Sequence, residues 1–148
     1  MDIQGVLPMK RLTVFLLFFC FVALSCVRAR AQVVVIVNPS VHATDVSKAE
    51  LRDVFTGASS SLKGGAQVMP VLLKQGVVHD DFLDLYIGKS DTAFRASWRS
   101  VLFSGQGVMP KTLETDAAVV DYVAHTAGAI GYIGKTTPHE GVKILAVR

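Results

Sequence analysis

The sequence predicts an α/β domain, with helices on both faces of a mostly parallel sheet. Three observations carry that expectation. A continuous β-branched run at residues 33–37 has the composition of a strand buried on both faces. Residues 67–86, Q-V-M-P-V-L-L-K-Q-G-V-V-H-D-D-F-L-D-L-Y, break an apolar run at one glycine and restart it with helical spacing. Strand and helix signals then alternate toward the end of the chain, the pattern of a single three-layer α/β domain with right-handed crossovers.

The first 31 residues stand apart. Lys10 and Arg11 precede an unbroken apolar run at residues 14–24, and Ala29, Arg30 and Ala31 complete an A-x-A cleavage pattern before Gln32. This reads as a secretory signal peptide, starting at Met1 or Met9. The apolar run is shorter than the roughly 20 residues of a membrane span, so the mature chain is expected not to span a membrane. Ala23, Leu24 and Ser25 before Cys26 loosely resemble a lipidation box, which leaves a lipid on Cys26 as the alternative to cleavage at Ala31–Gln32. The expectation is an exported protein, periplasmic or extracellular, with residues 32–148 as its one domain.

Four of the fifteen Lys and Arg and one of the twelve acids fall in that leader, so residues 32–148 carry eleven of each. The formal charge of +3 therefore belongs to the leader, and a neutral domain offers no basic surface to nucleic acid. Both cysteines, Cys20 and Cys26, lie there too, so the domain has no disulfide framework and depends on a hydrophobic core.

Taken in order, the strand at residues 33–37 ends at Asn38 and Pro39. Ser47 and Glu50 then have capping-box spacing, Val46 and Leu51 occupy staple positions, and Leu51, Val54 and Phe55 face the core until Gly57. Residues 58–65, with Ser59, Ser60 and Ser61, read as a solvated loop. In the next unit Val71, Leu72 and Leu73 form a buried strand, and Val78, Phe82, Leu85 and Tyr86 fall on one helical face. A helix starting at Ser90 or Asp91 repeats that stripe with Phe94, Trp98, Val101 and Leu102, which assigns Trp98 to packing. Residues 104–107 make a flexible loop closed by Pro110. The helix at residues 115–125 turns Val119, Val120 and Val123 inward with Gly128 as its C-terminal cap, and residues 129–133 and 142–147 are the last strands.

Gly76 marks the candidate site. A strand-to-helix turn leaves the first backbone N–H groups of the helix without internal partners, at the positive end of its dipole. In open α/β sheets ligands bind at the carboxyl ends of strands, where this turn falls.

At this point the residues carry a resemblance. N-P-S at Asn38, E-L-R-D-V-F-T-G from Glu50, the loop around Gly76 and T-A-G-A-I-G-Y-I-G from Thr126 resemble the phosphate-binding proteins of ABC importers, in the periplasmic binding protein superfamily. The likeness covers nearly all of residues 32–148 but only one lobe of a type 2 periplasmic binding protein, the second of the family's two. In that family phosphate sits between lobes, and the second lobe supplies an arginine before the loop and a Ser-Gly-Thr turn at the helix start. Here that turn falls on Val77, Val78 and His79. Two valines offer no hydroxyl donors, which leaves backbone N–H groups, Lys74 and His79 to meet an oxyanion. Asp80 and Asp81 occupy the first turn, the place an anionic ligand would need. The candidate ligand-binding residues are Lys74, Gln75, Gly76, Val77, His79, Ser104 and Gly105, with a second chain, as in a homodimer, closing over Lys74, Gly76 and Ser104.

Other chemistry is weakly represented. His42, His79, His125 and His139 lack metal-ligand spacing, and beside Asp80 and Asp81 His79 reads as a solvated helix start. No G-x-S-x-G elbow is present, and the glycines at 105, 107, 128, 131 and 134 do not form a nucleotide fingerprint between strand and helix. No enzyme activity, cofactor or metal is expected. Two functions remain: a solute-binding-like module taking phosphate or another small anion weakly, or a ligand-free interaction module serving an envelope protein or transporter.

Overall fold

In the computed structural model, which describes residues 32–148, β1 (Val33–Val37) lies inside a six-stranded sheet of order β2-β6-β1-β5-β3-β4. The leader, its two possible starts, Cys20, Cys26 and the cleavage pattern lie outside the described residues. β2 is Asp45–Val46, β3 Met69–Leu73, β4 Lys111–Leu113, β5 Ala129–Gly134 and β6 Lys143–Val147. β1 runs antiparallel to both neighbours, β5 and β6, while β2 and β6, β3 and β5, and β3 and β4 pair in parallel. The sheet is thus mostly parallel, as predicted, with β1 as its one reversed strand. Hydrophobic patterning shows that β1 is buried and carries no information on its direction.

Among the described residues four α-helices cover the sheet: α1 (Lys48–Thr56), α2 (Val77–Phe82), α3 (Asp91–Phe103) and α4 (Asp116–His125). β5 shows that they lie on two sides. A side chain at Gly131 would meet Val119 and Val123 of α4, the first at 2.9 Å, whereas the next residue, Tyr132, stacks on Phe82 of α2 and meets Phe55 of α1 edge-on. Glycine at 131 lets α4 sit close against the sheet.

The local signals fold as read. Ser47 and Glu50 complete a reciprocal capping box, Gly57 ends α1 in the left-handed region, and Ser90 and Thr115 cap α3 and α4. Asn38 caps the other end of α4, donating from Nδ2 to the carbonyls of Val123 and Ala124 at 2.8 and 3.1 Å. Four readings need correction. After Phe82 the helix widens into a π-helical turn, Leu83–Ile87, closed by Gly88 N–H donating to the Leu83 carbonyl five residues back. That widening buries Leu83 and Ile87 in place of Leu85. Leu102 is 47% exposed, because α3 runs past the core before it ends. Gly128 is not the cap of α4, which stops at Thr126, but a positive-φ turn residue held by Ser40 Oγ at 3.0 Å. β4, to which the sequence assigns no element, is a three-residue strand whose ladder with β3 is continued by Lys74 N–H bonding to the Leu113 carbonyl.

Candidate functional site

The turn after β3 brings four of the sequence candidates together. Lys74, Gln75, Gly76 and Val77 are all exposed, and Gly76 is the N-cap of α2 at φ 114° and ψ 174°, a conformation side-chain-bearing residues avoid. The first bond of the helix is Asp80 N–H to the Gly76 carbonyl at 3.0 Å, so the N–H groups of Val77, Val78 and His79 have no partner within it. Two carboxylates answer the positive charge here. Asp80 sits in the first turn of α2, and Glu114 takes the Lys74 ammonium at 3.0 Å.

His79 does not face that turn. It is 1% exposed, and both ring nitrogens are engaged, Nδ1 with Tyr132 Oη at 2.5 Å and Nε2 with Asp91 Oδ1 at 2.8 Å. The solvated helix start read from the sequence is therefore replaced by a core histidine. Leu73 N–H donates to the same Tyr132 oxygen at 3.1 Å. Because the ionised Asp91 carboxylate can only accept, Nε2 carries the hydrogen toward it, and in the neutral imidazole Nδ1 then accepts the phenol hydrogen. Asp91 also accepts the Arg95 Nε–H at 3.0 and 2.9 Å, and Arg95 Nη2 reaches the Lys74 carbonyl at 2.6 Å.

The titrating groups reflect these contacts. Burial pushes the Asp91 carboxyl up, but the hydrogen bonds from Arg95 and His79 and their charges outweigh it and hold it below the ordinary aspartate value. Burial raises the Tyr132 phenol well above its usual range. Among the described residues no buried side-chain nitrogen or oxygen lacks a partner. The sequence singled out neither Asp91 beyond its capping role nor Arg95 and Tyr132. Tyr132 lies 53 residues from His79, and no local pattern links positions that far apart.

Ser104 and Gly105 are elsewhere. Asp91 opens α3 and Ser104 caps its far end, about 20 Å along a helix of this length at 1.5 Å per residue. The sequence-level pairing of Ser104 with Lys74 and Gly76 is corrected on that geometry. Ser104 Oγ is spent on the Val101 carbonyl at 2.9 Å, and Gly105 is an exposed positive-φ turn.

Two concavities flank α3. A cleft of about 410 Å³ at its N-terminal end is lined by Asp80, Asp84, Asp91 and Lys89. A groove of about 730 Å³ at its other end is bounded by Val54, Met69, Trp98, Val101, Val108 and Met109. Val108 is 84% exposed, and Phe103, at the end of α3, is 86% exposed. Among the described residues no three metal-ligating side chains converge.

The fold has known counterparts. One is a protein from Clostridium perfringens assigned as a phosphate ABC transporter substrate-binding protein and solved with bound phosphate, with TM-score 0.62 and 19% identity over 79% of this chain and 45% of that one. Another is PstS from Borrelia burgdorferi, at TM-score 0.59 and 17% identity over 80% of this chain and 47% of that one. An ABC-type phosphate transport receptor from Vibrio cholerae aligns at TM-score 0.52 and 13% identity, over 79% and 46%. The fold is that of a substrate-binding-protein lobe. The chain spans about half the length of these structures. No protein-family model and no curated protein matches its sequence. No helix of the described residues is long and apolar enough to cross a membrane.

Proposed function

We propose that the protein is a solute-binding-like module, not an enzyme, exported by its 31-residue leader, whose domain at residues 32–148 holds a small oxyanion such as phosphate weakly. The observation that supports this reading is the Gly76 turn, which sets three N–H groups without helical partners at the carboxyl end of β3 in the fold of phosphate-transport receptors. The site comprises Lys74, Gln75, Gly76 and Val77. Ser104 and Gly105 face the other end of α3 and are left out of it.

Weakness follows from the side chains. Val77 and Val78 bring no hydroxyl, His79 is turned inward, and Lys74 is held by Glu114. Charge-assisted hydrogen bonds contribute about 1.5 to 3 kcal/mol each, so lacking roughly three of them forfeits on the order of 5 to 9 kcal/mol. At about tenfold per 1.4 kcal/mol, a micromolar site becomes millimolar or weaker. Tighter binding requires a second surface over the turn, a homodimer partner or a transporter. Calorimetry with phosphate, run beside sedimentation, tests this. Millimolar binding that is abolished by Lys74→Glu and Gly76→Pro is expected, and micromolar binding by a monomer would overturn it.

The exposed apolar groove favours a second reading, an interaction module of the cell envelope that kept the fold without the ligand. Phosphate titration that leaves the amide signals of Gly76, Val77 and Val78 unmoved would favour it over the first.

A further inference from the structure

We propose that Arg95 is the positioning residue of the Lys74–Val77 turn. Its guanidinium grips the Lys74 carbonyl while Asp91 and His79 hold the guanidinium, so the direction of the turn is set from the buried hydroxyl of Tyr132. The inference deepens the oxyanion reading and rests on it only for the effect on affinity.

The turn has little of its own to hold it. Four consecutive residues, Lys74 to Val77, are exposed, the N-cap is a glycine at positive φ, and no side chain caps the helix. Chain of that kind samples many conformations unless something external restrains it. Two restraints meet at Lys74. Its N–H is bound to the Leu113 carbonyl at 2.9 Å on the β4 side, and its carbonyl accepts Arg95 Nη2–H at 2.6 Å on the α3 side. The peptide groups entering and leaving Lys74 are thus each fixed, and rotation of the second would swing Gly76 and the N–H groups after it.

Arg95 can restrain the turn because it is itself restrained. Its Nε–H lies 3.0 and 2.9 Å from the two oxygens of Asp91, one turn back on the same helix. Asp91 Oδ1 is also 2.8 Å from His79 Nε2, and the far side of that imidazole is fastened to Tyr132. His79 and Tyr132 are 1% and 0% exposed, so the inner end of the chain is anchored in packed core. Each outer link uses a charged donor or acceptor, the stronger kind of hydrogen bond. A planar fork is what the geometry demands, since one side chain addresses a carboxylate and a carbonyl from different nitrogens. An ammonium at position 95 can satisfy one of them.

Backbone amide hydrogen exchange in the purified protein without anion tests the inference. The reporters are the N–H groups of Lys74 and Asp80, bonded to the Leu113 and Gly76 carbonyls at the two ends of the turn. Arg95→Ala is expected to speed exchange at both by tenfold or more, while Ile36 and Ile133 in the core keep their rates. Arg95→Lys is expected to fall between wild type and Arg95→Ala, and Asp91→Asn to loosen the same two amides. Unchanged rates at Lys74 and Asp80 in Arg95→Ala would overturn the proposal, as would an equal rise throughout the sheet, the mark of a merely structural residue. If Arg95→Ala does not fold, Arg95→Lys decides on the same two amides. A phosphate titration of the same proteins is a separate arm, with affinity expected to fall about tenfold in Arg95→Ala. Wild-type protein that binds no phosphate refutes the oxyanion reading and leaves the exchange result to decide the role of Arg95.

Discussion

At its first turn α3 places Asp91 and Arg95 in a hydrogen-bonded chain that ends on buried Tyr132, and at its last turn the same helix leaves Leu102 and Phe103 47% and 86% exposed. The polar end is closed, since each group in it has a partner within the domain. The apolar end is open, since Val108 and Met109 in the lining of the groove beside it are 84% and 43% exposed. A polar network that is fully satisfied rigidifies what it touches, whereas exposed apolar surface gains by being covered. One helix therefore carries both proposed functions, with a restrained anion turn at one end and a docking groove at the other. Substitutions that separate the two ends sharpen the comparison, and substitutions that move both would break it.

The largest effect is expected midway along the helix. Trp98 is 5% exposed and donates its indole N–H to the Phe55 carbonyl at 2.8 Å, tying α3 to α1. Trp98→Ala should destabilise by about 3 to 5 kcal/mol, measured by chemical denaturation, since it leaves a cavity and an unpaired carbonyl. A loss below roughly 1 kcal/mol would mean that the groove, rather than the core, uses Trp98.

Next comes the anchor of the polar end. Tyr132→Phe keeps the ring stacked on Phe82 at 3.8 Å and removes only the oxygen shared by Leu73 N–H and His79 Nδ1. The expected destabilisation is about 1 to 3 kcal/mol, the desolvation penalty of buried groups left unpaired. No change in the denaturation midpoint would mean that the chain from Tyr132 to Arg95 is decorative.

These two residues also mark what was legible in the sequence. Trp98, the capping box at Ser47 and Glu50 and the cap at Ser90 are fixed by spacing within one or two turns, which a linear reading captures. β4 was missed because Lys111, Thr112 and Leu113 have no apolar run, and its identity comes from the ladder with β3. The reversed direction of β1 and the burial of His79 depend on partners far along the chain. Within the site, the turn could be read because it is a local event at one glycine. Its restraint could not, since Arg95 lies 21 residues from the carbonyl it holds.

A smaller effect concerns acid. Asp91 and Glu50 both have lowered carboxyl pKa values, Glu50 at about 2 because the backbone N–H groups of Ser47 and Lys63 and the Ser47 hydroxyl bind its charge. A depressed folded-state value gives stability that is complete above the unfolded value, about 3.9 for Asp and 4.3 for Glu, and is lost as pH falls through the folded one. Denaturation midpoints should therefore decline from about pH 5 toward pH 2. Both groups are partly solvated, so each contribution is screened. Asp91→Asn should flatten the part of the decline seen at the Lys74 and Asp80 amides, and Glu50→Gln a part that those amides do not report. An unchanged slope in Asp91→Asn would detach the polar end from acid stability.

The smallest effect on stability, and the sharpest test of the open end, is expected at Val108. Its side chain is 84% exposed in the loop after α3, so it buries little on folding, and Val108→Asp should change stability by no more than about 0.5 kcal/mol. The carboxylate would, however, stand in the lining of the groove, where an apolar partner disfavours it. If the groove docks a partner or a second copy, the variant should lose that association while keeping its fold and whatever phosphate binding the wild type has. Sedimentation of the wild type and variant, with phosphate calorimetry on the same samples, separates the outcomes. Association lost with anion binding intact means that the two ends of α3 act independently. Anion binding lost along with association means that the turn is completed only by the assembled partner, and the division between a closed polar end and an open apolar end then fails.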